Sequence, residues 1–231
     1  TYTRLRDIYQ PTAKLICHAG NNFNEIEDGI QDGCVKNLMA SIAPFDVPDY
    51  INSVFYHQEQ PILPFEPPDP KKFAIYSFVH LLPKKYLFKK YKELLPEADF
   101  KAFGASCPDG ALSTLNEVYR FMQKAAFIYN VKPFGDGFGW IWHSAFMLGR
   151  PPITNFTDYQ DKLGASLFEH NVTGIDLERS TDSDNANLIR SIFNEPDRFL
   201  KMSLNAHNRF NEVVNYGQEE KKIRQFLGRL Q

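Results

Sequence analysis

No run in this sequence approaches 18 uninterrupted apolar residues, so no segment reads as a membrane-spanning helix. An excess of one charge is missing as well. Its 26 basic and 28 acidic residues leave a net charge of -2, which gives no reason to expect nucleic acid or another polyanion as a partner. Cysteine is sparse: Cys17, Cys34 and Cys107 are odd in number and far apart. They make neither a disulfide framework nor a metal-binding spacing, and read as buried thiols of a reducing, cytoplasmic protein. No cluster of histidines and carboxylates stands out, so no cofactor and no obligatory metal is expected. No internal repeat or signal peptide is visible, and an initiator Met is missing. A chain that starts at Thr1 is expected to be a piece of a longer protein. What is present is globular in kind. Hydrophobic residues make up 43% and charged residues 23% of 231 positions, and 20 Phe lift the aromatics to 14%, enough for a substantial packed core.

Proline punctuates the chain once. Pro61, Pro64, Pro67, Pro68 and Pro70 fall within ten residues, a density that excludes helix and interior strand. Residues 61–70 therefore read as a stiff linker between a partial domain over 1–60 and a larger one over 71–231. Before it lie strand-like pieces at 13–17 and 53–56, and an apolar stretch at 35–42 that suits a strand or a short helix equally. After it, strands and helices alternate. Compact apolar runs at 73–79, 99–104, 126–131, 152–155 and 174–177 read as strands, and 84–95, 113–126, 140–148 and 158–168 as helices. Ser113 or Thr114 supplies an N-cap. From Asp184 onward three helical stripes follow, broken at Pro196 and Gly217. Strands separated by helices predict right-handed crossovers and an α/β, Rossmann-like parallel sheet covered on both faces, with a helical C-terminal tail.

In open α/β sheets, ligands bind beyond the carboxyl ends of the strands. That directs interest to Lys132-Pro133-Phe134-Gly135-Asp136-Gly137-Phe138-Gly139, between a strand and a buried helix. Three glycines let backbone approach a ligand, and the next helix offers free N–H groups and a positive dipole end to a phosphate. The same residues also suit an Asp-Gly turn chosen for tight strand–helix packing.

The stretch NVKPFGDGFGWIWHSAFMLGRPPITNFTDY over 130–159 resembles the donor-binding signature of two-domain GT-B glycosyltransferases, in particular the retaining group often called family four. The resemblance covers most of the chain from Phe73. It implies that the glycine turn and the following helix hold the sugar and diphosphate of a nucleotide-sugar, and that the residues before the linker close an acceptor-side domain. It also implies a donor site containing Lys84, Lys85, Lys132, Asp136, Gly137, Phe138, Gly139, His143 and Ser144. Members with this signature carry two glutamates with seven residues between them, whereas this chain has Asp136 and Ser144 at those positions. A serine hydroxyl would contact the nucleotide's ribose without charge, and His143 beside it could take over that contact or only pack. The reaction implied is transfer of a sugar from a nucleotide-sugar to an acceptor that the sequence does not identify. A glycosyltransferase-like module that binds without catalysis is the alternative. Such an enzyme needs well over 231 residues, so this chain is expected to bind half of the reaction.

Three further features are weighed on residue type alone. Seven lysines and no acid lie between Lys71 and Lys92. They allow a weak peripheral contact with anionic lipid, although a solvated helix face explains them more simply. His57 and Glu59 are of the types that transfer protons, but read as loop chemistry. His18 reads as a structural histidine.

Overall fold

The computed structural model describes residues 12–19, 26–42, 47–79, 82, 84–133, 135 and 139–230. Its strands form two separate parallel sheets. The first has the order β1 (Cys17–Ala19), β2 (Asn37–Ala40) and β3 (Asn52–Phe55), with a short helix α1 (Glu27–Gln31) between β1 and β2. Cys17 is in register with Leu38, and Asn37 with Asn52. The apolar stretch whose periodicity left strand and helix open is thus β2. The first strand sits later than its apolar residues predicted, and α1 was not legible. Its five residues include only one buried apolar side chain, Ile30, too few for a helical period.

The second sheet contains β4 (Ala74–Phe78), β5 (Asp99–Phe103), β6 (Phe127–Tyr129), β7 (Pro152–Thr154) and β8 (Ile175–Asp176), in the order β5-β4-β6-β7-β8. All four pairings are parallel. Alternate residues of β4 supply two cores, as the pleat requires. Ile75 points to the side covered by α2 (Lys85–Leu94), α5 (Asp182–Asn194) and part of α6 (Pro196–Val213), through Phe88, Tyr91, Ile189, Ile192 and Phe199. Ala74, Tyr76 and Phe78 point to the other side, against Tyr119 and Met122 of α3 (Leu115–Lys124) and Trp142, Ala145 and Phe146 of α4 (Trp140–Met147). The fold class is therefore the expected one, a Rossmann-like parallel sheet with helices on both faces and a helical C-terminal segment. Thr114 caps α3 by accepting from the Glu117 N–H at 3.2 Å, and Glu117 in return accepts from the Ser113 N–H.

The predicted helix over 158–168 is absent. Two 3₁₀ turns, Phe156–Asp158 and Leu163–Leu167, take its place. Tertiary contacts claim the backbone there: Lys162 bridges Ile42 of the first sheet's core, the Leu163 N–H donates to the Ser41 carbonyl at 2.8 Å, and the Gly164 carbonyl accepts from the Trp142 indole. A chain held this way cannot close i→i+4 hydrogen bonds. The cysteines also differ from expectation. All three are free, but Cys34 is exposed and Cys17 and Cys107 are half-buried. Cys34 lies in the loop between α1 and β2, where surface backbone keeps it wet.

The final helix α7 (Tyr216–Gly228) returns to the first sheet: the Phe226 carbonyl accepts from Asn52 Nδ2 at 2.9 Å, and Glu219 pairs with His57. The proline segment is pinned rather than free. Buried Arg150 donates to the carbonyls of Glu66, Leu148 and Gln123 at 2.7–2.9 Å. Burial pushes its guanidinium down to about 10, with Glu66 acting in the opposite sense, and it remains charged. A buried cation is tolerable here because carbonyl oxygens take its donors. Gly149 has φ +62, and a Cβ there would stand 2.5 Å from the Phe65 ring.

Candidate functional site

The strand order locates the site before any side chain is considered. β4 has β5 on one side and β6 on the other, so consecutive connections leave it in opposite directions. The carboxyl ends of β4 and β6 flank the switch point where such sheets bind ligands. The described residues there are Val79, Leu82 and Lys84 after β4, and Asn130 to Pro133, Gly135 and Gly139 after β6. Their scaffold is tied by side chains. Thr154 Oγ1 donates to the Asn130 carbonyl at 2.9 Å, and Asn130 Nδ2 donates to the Tyr159 hydroxyl at 2.8 Å. Tyr159 in turn stacks on Trp142 of α4, with centroids 4.2 Å apart and planes at 10°.

Gly135 is required in this turn. Its φ is +60, and a Cβ would stand 2.0 Å from the Asp158 carbonyl oxygen, so no larger residue fits the approach of the two loops. Lys84 is also left-handed at φ 50 and precedes the first turn of α2. Its ammonium lies 3.9 Å from Asp158 Oδ2. Buried Lys162 reaches Gly135 as well: its Cε lies 3.5 Å from where a Cβ would stand, and its Nζ lies 2.8 Å from Asp161 Oδ2. Lys132 is half-buried at the exit of β6, and Lys85 is exposed on α2. Gly139 precedes α4 and brings no side chain to cap its first turn. Asp136, Gly137 and Phe138 lie outside the described residues.

His143 and Ser144 turn inward instead. Both are fully buried. His143 Nδ1 lies 2.9 Å from the Gly139 carbonyl, an acceptor only, so Nδ1 carries the proton. Its Nε2 has no partner. Desolvation holds the ring's pKa at about 4; the Gly139 hydrogen bond opposes that shift, and the nearby His57 reinforces it. His57 faces it edge-on, with centroids 5.7 Å apart, and pairs through Nδ1 with Glu219 at 2.6 Å rather than with Glu59. Ser144 donates to Gln60 Oε1 at 2.7 Å, and the Tyr119 hydroxyl shares that acceptor at 3.1 Å. Gln60, immediately before the proline segment, thus occupies the hydroxyl that the sequence motif aligns with a ribose contact.

The structure therefore brings Lys84 to Asp158, which presses on Gly135, leaves Lys85 in solvent, and engages His143 and Ser144 inside the fold. Sequence reasoning missed Asp158, Lys162, Gln60 and Glu219. Only the glycine at 135 hinted that another backbone must press on this turn. In the lysine-rich segment, Lys72 pairs with Asp69, Lys84 with Asp158, Lys89 with Glu93 and Lys90 with Asp182. Among the described residues no three His, Cys, Asp or Glu side chains group as metal ligands, and no helix is long and apolar enough to cross a membrane. A separate cavity of about 300 Å³ lies near the amino end of β8, lined by Asn171, Val172, Arg198, Lys201, Met202 and Asn205.

No family model matches the chain, and no curated sequence matches it significantly. Solved structures do. TarM superposes with a TM-score of 0.73 at 12% identity, over 97% of this chain and 52% of its own. The pneumococcal O-GlcNAc transferase GtfA, solved with UDP and GlcNAc, gives 0.66 at 13% identity, over 97% and 54%. An α-glucosyltransferase solved with UDP and a 13-mer DNA containing an HMU base gives 0.65 at 10%, over 99% and 75%. The chain has the GT-B glycosyltransferase fold. It spans about half the length of TarM and GtfA. Identities of 10–13% establish the architecture, while the chemistry must come from the site.

Proposed function

We propose that this chain carries the donor-binding half of a glycosyltransferase, holding a nucleotide-sugar for transfer to an acceptor. The observation that carries the reading is the glycine turn at the switch point, flanked by Lys84 and Lys162 and followed by the uncapped start of α4. Lysines close to a strand-to-helix turn, with the N–H groups that open the helix, suit a group that gains negative charge as a bond breaks. In sugar transfer that group is the leaving diphosphate, and donors fixed before the reaction stabilise it without reorganisation. Lys84 and Lys132, with the N–H groups around Gly139, would take this role. The arrangement calls for no obligatory metal. Uridine diphosphate is the first nucleotide to test, because GtfA and the α-glucosyltransferase were solved with UDP.

A specific observation favours a second reading, a GT-B module that binds or assembles without transferring. Ser144 stands where the motif carries a carboxylate, and its hydroxyl is already spent on Gln60. One assay orders the two readings. Thermal melts are recorded with uridine, guanosine and adenosine diphosphates and their sugar conjugates. A ligand at 100 times its dissociation constant stabilises the fold by about 2.7 kcal/mol, or about 5–10 °C for a chain of this size. Stabilisation accompanied by slow sugar release from the conjugate supports an enzyme, and stabilisation without release supports the binding module. No shift with any nucleotide at millimolar concentration rejects both.

A further inference from the structure

Lys162 has a setting that the donor site as described does not exploit. Only 2% of its side chain is exposed, yet its one ion pair is to Asp161, a carboxylate that is 57% exposed. Withdrawing an ammonium group from water is costly unless it is well paired, and a carboxylate facing solvent is a weak partner. An ammonium has three donors, and a single hydrogen bond from this one is found among the described residues. The main chain explains why the group stays in place. Lys162 forms a bridge with Ile42, and Leu163 is hydrogen-bonded to Ser41, so this segment is anchored on the first sheet. The side chain then runs across to the second sheet, where its Cε lies 3.5 Å from the position a Cβ on Gly135 would take. A cation fixed by one sheet is thereby held against the glycine turn of the other. Lys84 approaches the same loop with Asp158 as its partner. Lys84 thus reaches Asp158, whose carbonyl presses on Gly135, and Lys162 packs against the same glycine, each lysine resting on an aspartate that an anionic ligand can displace.

We propose that Lys162 is a diphosphate-binding cation of this site, releasing Asp161 and taking a phosphoryl oxygen when a nucleoside diphosphate enters the glycine turn. The proposal rests on the donor-site reading, and the experiment separates the two. Isothermal titration is run with UDP and with uridine on the wild-type chain and on Lys162→Met, Lys162→Arg and Asp161→Asn, each checked for folding by thermal melt. Loss of one charge-assisted contact to phosphate predicts about tenfold weaker UDP binding for Lys162→Met. Uridine, which lacks the diphosphate, should bind both proteins alike, and Lys162→Arg should retain most of the UDP affinity. Asp161→Asn removes the competitor and should tighten UDP about threefold. Wild-type binding of UDP with Lys162→Met within twofold of it would overturn the role of Lys162 and leave the donor site standing. Equal losses for UDP and uridine would also overturn it, as the mark of a merely structural lysine. No binding of UDP, GDP or ADP to the wild type overturns the donor site and this inference together. Should Lys162→Met not fold, Asp161→Asn decides: tighter UDP binding supports the proposal, and unchanged or weaker binding rejects it.

Discussion

His143 makes a prediction that can be worked through from burial and geometry. The ring is fully buried, with Nδ1 bonded to the Gly139 carbonyl and Nε2 facing no partner. Only the Gly139 hydrogen bond favours an added proton among the causes that act on the ring. His57 stands edge-on to it, and Glu219 is bonded to His57. The native state therefore keeps His143 neutral, with a pKa of about 4 against 6.5 for a free imidazole. Because the folded value lies below the unfolded one, the unfolded chain binds the proton more readily. The stabilisation is complete above about pH 6.5 and is lost progressively as pH falls towards 4. A gap of about 2.5 pH units corresponds to about 3 kcal/mol in total, of which about 2 kcal/mol is lost by pH 5. Carboxylates titrate in the same range, so the informative quantity is a difference between proteins. Wild type and His143→Gln, which can still donate to the Gly139 carbonyl, are melted in urea at pH 7.5 and pH 5. The wild type should lose about 2 kcal/mol more than the variant over that interval, equivalent to about 4–8 °C in melting temperature. Parallel pH profiles for the two proteins would refute the reasoning, because they would mean that His143 is protonated inside the fold.

Other perturbations have equally definite outcomes. Gly135→Ala forces a Cβ to within 2.0 Å of the Asp158 carbonyl at a positive φ; urea melts should show a loss of about 1–3 kcal/mol, and nucleotide-induced stabilisation should vanish. Gln60→Leu strips the shared acceptor from the Ser144 and Tyr119 hydroxyls, costing about 2–4 kcal/mol in the same assay. Combining it with Ser144→Ala should return part of that loss, so the two changes are less than additive. Thr114→Ala removes the cap on α3 and should cost about 1 kcal/mol without altering nucleotide binding.

Much of the architecture could be read locally. The alternation through Ala74, Ile75, Tyr76 and Phe78 announces a strand buried on both faces, and Thr114 with Glu117 announces a helix start, because those signals come from neighbours in sequence. The segment 158–168 shows where that legibility ends. Its composition permits a helix, but the bonds to Ile42, Ser41 and Trp142 come from residues more than 15 positions away. The candidate site divides along the same line. Gly135 and Lys84 were visible because a glycine-rich turn after a strand has its own physical logic. Lys162 was invisible because its environment is built by the first sheet and the glycine turn together. Ser144 was singled out as a site residue from the motif, yet its present partner, Gln60, lies 84 residues earlier and follows no local rule.

The proposed donor site would hold a nucleoside diphosphate at the switch point between β4 and β6. An amide NMR titration of the isotopically labelled chain with UDP tests it residue by residue. The signals of Lys84, Gly135, Gly139 and Lys162 should shift together and saturate along one binding curve. Signals that stay still up to millimolar UDP, or that move only around Arg198 and Lys201 at the distant cavity, would contradict it.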